Sequence, residues 1–263
     1  MSLRLSANGF AFAIQDQARG KFIALEAYDL GQLSNAGLFT KNLKAIINQH
    51  ALLRLKFGSV NVAVANAPAT LVPAAVYEES TKHKYLAFNH QLEARCSIHS
   101  DRIRPIDAWN VYAVPNEVYE LMQLCFPGFT IRQSSTSLLT AALAQFKHTV
   151  EKTLILHIQS DAFEIIVTEN NRLNYYNLFK HQSPEDLMYF LMFVCEEVML
   201  NPEQIDTVLV GELEKKSLIY NLLHKYFRNL RFGARSDSFQ YSYGFDELPK
   251  HYYYNLLSQQ LCV

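Results

Sequence analysis

Two stretches of the chain, about 150 residues apart, carry the same three-part signature. In the first, residues 3–14 hold two apolar runs separated by Asn8-Gly9, turn at 17–20, and return as a third run over 21–28. In the second, residues 156–167 hold two runs separated at Ser160-Asp161, turn at Asn170-Asn171, and return over 172–176. Asn-Gly between apolar runs is a strong tight-turn signal, because both residue types tolerate positive φ. Each signature is followed by a helical segment and then a short β-branched run, residues 60–64 and 207–210. A unit used twice predicts two similar lobes with a cleft between them.

Composition narrows the class of partner. At 263 residues the chain has room for one large domain or two of ordinary size. With 49% hydrophobic and 19% charged residues it is expected to be globular. A net charge of -1 gives no electrostatic case for nucleic acid or an anionic membrane. The basic clusters Lys215-Lys216 and 228–235 read as solvated surface. No run approaches the ~20 apolar residues of a membrane span. The densest, 187–194, is broken at Glu196-Glu197 and reads as a buried helix. Residues 10–14 are too short and lack the basic lead-in of a secretory leader. Cys96, Cys125, Cys195 and Cys262 form no Cys-x-x-Cys pair, which predicts reduced thiols in a cytoplasmic protein. The nine histidines never fall at i, i+4 on a predicted helix, so no metal site is expected.

Between the signatures, Leu38, Phe39, Leu43, Ile46, Ile47 and Leu53 recur at helical spacing, predicting an amphipathic helix from Asn35 to Leu53. Pro68 and Pro73 are expected to bracket a turn into a helix over 74–91, with 92–108 irregular or hairpin-like. Residues 109–114 read as a strand ended by Pro115, with Asn116 capping a helix through Leu124. A strand over 129–133 follows, and Ser134, Ser135, Thr136 and Ser137 read as caps of a helix reaching about residue 150. Glu151-Lys152 is the predicted lobe boundary: 1–150, with an inserted segment near 74–108, and 151–263, with an extension from about 236.

In the second lobe, Ser183-Pro184-Glu185-Asp186 reads as a helix start with Ser at N-cap, Pro at N1 and an acid at N3. That helix is apolar on almost every side, which predicts cover on more than one face. A strand over 205–210 and a helix over 217–227 complete the lobe. In the tail, Phe239, Tyr241, Tyr243 and Phe245 alternate with small or polar residues, predicting four aromatics on one strand face. A short helix opening near His251 follows. Such a patch is a candidate interface for a partner or a second copy.

Strand, hairpin, strand, helix, strand, helix, used twice, resembles the plan of the actin, sugar-kinase and heat-shock-chaperone ATPases, in which each α/β lobe is RNase-H-like. The second lobe is similar to the actin-like proteins of type IV pilus and type II secretion platforms. Residues 154–167, the Ser183 helix and the run from Asn201-Pro202 through Ile205-Asp206 to Gly211 carry that likeness. In the first lobe, residues 64–68 and Val72-Pro73 sit where those proteins place a strand and a proline-marked loop. The whole chain resembles an uncharacterised bacterial family with an actin-like ATPase fold.

The resemblance implies an Asp-x-Gly turn in each lobe, where Asp manages Mg²⁺ or water and Gly lets backbone N–H groups reach phosphate. Here the first turn, Ser6-Ala7-Asn8-Gly9, has a glycine and no carboxylate. The second, Gln159-Ser160-Asp161-Ala162, has a carboxylate and no glycine. The adenosine loop offers only Gly211-Glu212. The expectation is a catalytically degenerate ATPase homologue, without cofactor, acting as a scaffold for another protein. The alternative is an ATPase or kinase with a divergent Mg-ATP site at Asn8, Gly9, Asp161 and Gly211. A two-metal nuclease fits worse, since the first strand offers Arg4, Leu5 and Ser6 and no acid. His157, between Leu156 and Ile158, reads as a hydrogen-bonded sheet residue and not as a base.

Overall fold

The opening alternation becomes three antiparallel strands, β1 (Ser2–Ser6), β2 (Gly9–Asp16) and β3 (Lys21–Asp29). This computed structural model describes residues 1–31 and 36–262, so the predicted helix start at Asn35 lies outside the described residues. α1 runs Ala36–Gln49 and buries Phe39, Leu43 and Ile47 against the sheet, as its periodicity requires. β4 (Asn61–Val64) then pairs in parallel with β1.

After β4 the structure departs from the expected long helix. Pro68 and Pro73 enclose a strand, β5 (Ala69–Pro73), and two 3₁₀ turns precede a short α2 (Lys82–Asn89). A single helix over 74–91 fails because only Leu86 is buried on α2, leaving no continuous apolar stripe. Of the two expectations for 92–108, irregular or hairpin-like, the hairpin is what forms: β6 (Cys96–Ile103) and β7 (Ala108–Pro115), joined by a 3₁₀ turn containing Pro105. These strands form a separate sheet of order β5-β7-β6 with its own small core around Val72, Leu86 and Val111.

The chain returns through α3 (Asn116–Cys125) to β8 (Thr130–Gln133), parallel to β4, and enters α4 (Ser134–Gln145). Ser134, Ser135, Thr136 and Ser137 stand at the start of α4 as expected, and all four are buried in its first turn.

The second signature builds β9 (Thr153–Ile158), β10 (Ala162–Glu169) and β11 (Arg172–Lys180), again antiparallel. α5 (Pro184–Glu197) starts as predicted, with Ser183 Oγ accepting from the Asp186 N–H at 3.1 Å. β12 (Asp206–Gly211), α6 (Leu218–Tyr226) and β13 (Asn229–Phe232) follow, with β12 parallel to both β9 and β13. The strand orders β3-β2-β1-β4-β8 and β11-β10-β9-β12-β13 are therefore the same RNase-H-like arrangement used twice.

By contact density the chain forms two units, Met1–Leu138 with Ser238–Ser242 and the segment from Gln259, and Leu139–Asp237 with Tyr243–Ser258. The tail is shared between them, and the four aromatics do not line one strand. Only β14 (Gln240–Tyr241) is extended, parallel to β3, where Phe239 and Tyr241 pack on buried Phe22 at 5.4 and 5.6 Å. The ladder ends when Ser242 N–H bonds Phe22 O, and residues Tyr243–Phe245 coil into a 3₁₀ turn. That turn leaves Tyr243 90% exposed and Phe245 buried. α7 (Tyr254–Ser258) is the short terminal helix.

Candidate functional site

The best-formed concavity lies in the N-terminal unit, where the ends of β1 and β4 face the inserted sheet. Its volume is about 360 Å³, in the size class of pockets that hold a small ligand or a few side chains. Leu5, Phe39, Val64, Ala113 and Val118 supply buried apolar walls. Asn66, at φ 56, turns the chain out of β4 towards Pro68, whose carbonyl accepts the Ala113 N–H at 3.0 Å. The pocket is thus held open by two elements, the main sheet and the insertion. Among the described residues lining it, Glu93 is the one that is charged, and none is lysine or arginine. Such walls suit an apolar guest, and the described lining brings a phosphate no cationic side chain.

The insertion is pinned to the main sheet by a half-buried carboxylate. Asp101 on β6 accepts from Gln133 N–H at 2.8 Å, Thr136 Oγ1 at 2.8 Å and the Tyr112 hydroxyl at 3.1 Å. Asn110 on β7 donates to Ser135 Oγ and Thr136 Oγ1, and Gln133 Oε1 accepts from Ser135. Burial raises the Asp101 pKa from 3.8 to about 6, against the opposing pull of its hydrogen-bond donors and the nearby Arg132 charge. Sequence reading missed this cluster, because Asp101 meets partners more than thirty positions away and no local pattern announces them.

The four residues of the alternative Mg-ATP reading, Asn8, Gly9, Asp161 and Gly211, fall in both units. The β1–β2 turn is Ala7-Asn8, one residue before the expected Asn8-Gly9: Gly9 opens β2 opposite Ser6, and neither Asn8 nor Gly9 is among the positive-φ residues. A Cβ at Gly9 would stand 2.1 Å from the Tyr28 carbonyl oxygen, so a close approach of β3 requires the glycine. In the C-terminal unit, Asp161 caps the turn from β9 to β10, where Gln159 N–H bonds Ala162 O at 2.9 Å and the Asp161 carbonyl accepts from His181 N–H at 3.1 Å. Gly211 ends the neighbouring strand β12 at φ 98, and a Cβ there would stand 2.2 Å from Ile158 O. Its N–H bonds His251 O at 2.9 Å, and the Glu212 N–H bonds Ile158 O at 2.8 Å. Asp161 and Gly211 are thus brought to one end of one sheet, but the Gly211 and Glu212 N–H groups are committed within the protein. Among the described residues no group of three or more His, Cys, Asp and Glu is placed to hold a metal ion.

Beneath that sheet end lies a second buried polar cluster. Glu164 accepts from Tyr176 at 2.8 Å and Gln159 at 3.3 Å, and lies 2.6 Å from His157 Nδ1. His157 is therefore the hydrogen-bonded sheet residue expected. Its partner was legible: a β9–β10 hairpin turning between 160 and 161 sets 157 opposite 164, which is the observed register. The tail residues Phe239 and Tyr241 are engaged with Phe22, and only Tyr243 stands out to solvent.

Solved structures place this architecture. A Bacteroides thetaiotaomicron protein described as having an actin-like ATPase fold and unknown function aligns with TM-score 0.76 at 22% identity, over 88% of this chain and 89% of that one. A structure of the PilM-PilN type IV pilus biogenesis complex aligns with TM-score 0.64 at 12% identity, over 99% of this chain and 96% of that one. The fold is the actin-like ATPase fold. No curated protein matches the chain by sequence. The model of the family described as "Protein of unknown function (DUF3822)" matches residues 1–230, and the chain belongs to that family.

Proposed function

We propose that this protein is a catalytically degenerate relative of the actin-like ATPases that works in the cytoplasm as a protein-binding scaffold. Its N-terminal unit would receive an apolar segment of another protein in the pocket between β1, β4 and the insertion. The observation that carries this reading is the pocket itself, about 360 Å³ with apolar walls and no basic residue among the described residues that line it. The commitment of the Gly211 and Glu212 N–H groups to His251 and Ile158 supports the absence of a phosphate cradle. PilM, which shares the fold, is found in a complex with PilN, and this supports a protein as the partner. No helix among the described residues is long and apolar enough to cross a membrane.

Filling the pocket tests the proposal. Ala67 lines it and is only half-buried, so Ala67→Trp places an indole in the cavity without opening the core. Co-purification from the native host should recover a protein with the parent chain and with Asp161→Ala, and lose that same protein with Ala67→Trp. A partner retained by Ala67→Trp would refute the pocket. A nucleotide-dependent enzyme predicts the reverse, with Asp161→Ala abolishing activity at unchanged melting temperature.

A further inference from the structure

The C-terminal unit carries a surface that neither the pocket nor the nucleotide loops involve. α5 packs on its sheet through Leu187, Met188, Leu191, Val194 and Cys195. Among the described residues none provides the cover expected over its other side: Tyr189 is 68%, Met192 36% and Phe193 54% exposed. With Glu196 these positions follow i, i+3, i+4, i+7, so they form one stripe along the outer face. Tyr189 is held in place by edge-on packing against Phe190 at 5.4 Å, and Phe190 in turn stacks on Phe179 at 5.1 Å. The stripe is a fixed aromatic surface.

Charge says what should cover it. Glu185 and Asp186 border the stripe at its start, and Glu196 and Glu197 at its end; all four are exposed, and the helix contains no Lys, Arg or His. Among the described residues, none of Glu185, Glu196 and Glu197 forms an ion pair. Glu196 and Glu197 also sit at the C-terminal end of the helix, where the backbone dipole disfavours anions. A second copy docking α5 on α5 would set carboxylates against carboxylates in either orientation, and an anionic lipid surface would be repelled likewise. A cationic partner relieves both costs.

We propose that the outer face of α5 binds a basic amphipathic helix of another protein, whose apolar stripe covers Tyr189, Met192 and Phe193. The acidic pairs are eleven positions apart, about 16 Å along a helix. The partner is therefore expected to carry Lys or Arg in two clusters three turns apart, flanking apolar residues at helical spacing.

The test uses the full chain and a labelled 15-residue peptide of Leu and Lys, with Leu at helical spacing and the Lys clusters eleven positions apart (the lengths follow from the 1.5 Å helical rise). Fluorescence anisotropy should show saturable binding, absent for the version with Glu in place of Lys and for a scrambled sequence of the same composition. Tyr189→Ser with Phe193→Ser should weaken binding at least about tenfold, as loss of aromatic anchors does. Glu196→Lys with Glu197→Lys should weaken binding of the all-Lys peptide and favour a version with Lys in one cluster and Glu in the other, and Glu117→Lys with Glu120→Lys on α3 should change nothing. Equal binding of the scrambled peptide, or indifference to both α5 variants, overturns the proposal. So does a parent dimer that light scattering shows dissolved by the Tyr189 and Phe193 changes. The charge reversal alters only exposed residues, so it decides the matter if the aromatic variant fails to fold.

Discussion

Between its fourth and fifth strands the N-terminal unit carries everything from Val64 to Thr130, a second sheet included, whereas the C-terminal unit spans Gly211 to Asn229 with α6 alone. The strand order around these segments is otherwise the same. The insertion gives the first unit a concavity, and it also places a half-buried carboxylate, Asp101, at the joint. In the second unit the equivalent strand end is closed on itself, with Gly211 pressed against Ile158 and His251 bonded to the Leu213 carbonyl at 2.8 Å. One topology thus yields an open apolar pocket in one copy and a sealed edge in the other. The determining difference is what the chain inserts after its fourth strand.

The comparison breaks first at the buried polar clusters. Glu164→Ala leaves His157, Gln159 and Tyr176 without their shared acceptor, and removing one partner from such a site costs about 3–5 kcal/mol. Urea denaturation should show that loss, and a change under 1 kcal/mol would mean the cluster is solvated.

The two sealing glycines come next. Gly211→Ala meets Ile158 O at 2.2 Å from a positive φ, while Gly9→Ala meets Tyr28 O at 2.1 Å without that backbone penalty. Gly211→Ala is expected to cost about 3–4 kcal/mol and Gly9→Ala about 2, read from thermal melts. Equal losses would show that φ contributes little at β12.

Asp101 sharpens the comparison by pH. Its folded value, about 6, lies above its ordinary 3.8, so the stability it contributes is full below about pH 4 and is lost as pH rises through 6. The ionised form then carries a cost of roughly 3 kcal/mol. Asp101→Asn keeps an acceptor for Gln133 N–H and Thr136 and lacks the charge. It should match the parent near pH 4, exceed it by up to that amount at pH 8, and flatten the profile of urea midpoints. An unchanged profile would place the titration elsewhere.

The smallest effect belongs to the helix start: Ser183→Ala removes the cap on the Asp186 N–H and should lower stability by about 1 kcal/mol.

The repeated architecture was legible because it rests on local signals. Alternation in 3–14 and 156–167, the Ser183 cap and the apolar period of α1 each fix an element from neighbours in sequence. In the inserted sheet β7 and a hairpin-like lead-in to it were legible, but β5 was not, because Ala69–Pro73 is a five-residue strand bounded by prolines whose pairing with β7 is set about forty positions away. The pocket stayed hidden for the same reason: Leu5, Val64 and Ala113 are ordinary apolar residues until the fold brings them together. The tail misled by its perfect alternation. A strand needs a partner edge along its whole length, and β3 pairs with only Gln240 and Tyr241. The α5 stripe was visible as apolar residues on every side, but periodicity does not say whether a face is covered.

Isothermal titration of the full chain with Mg-ATP tests the central claim most directly. The account predicts no saturable heat and no phosphate release, because the strand-end N–H groups of Gly211 and Glu212 are already bonded to His251 and Ile158. Micromolar binding with turnover, abolished by Asp161→Ala, would contradict it.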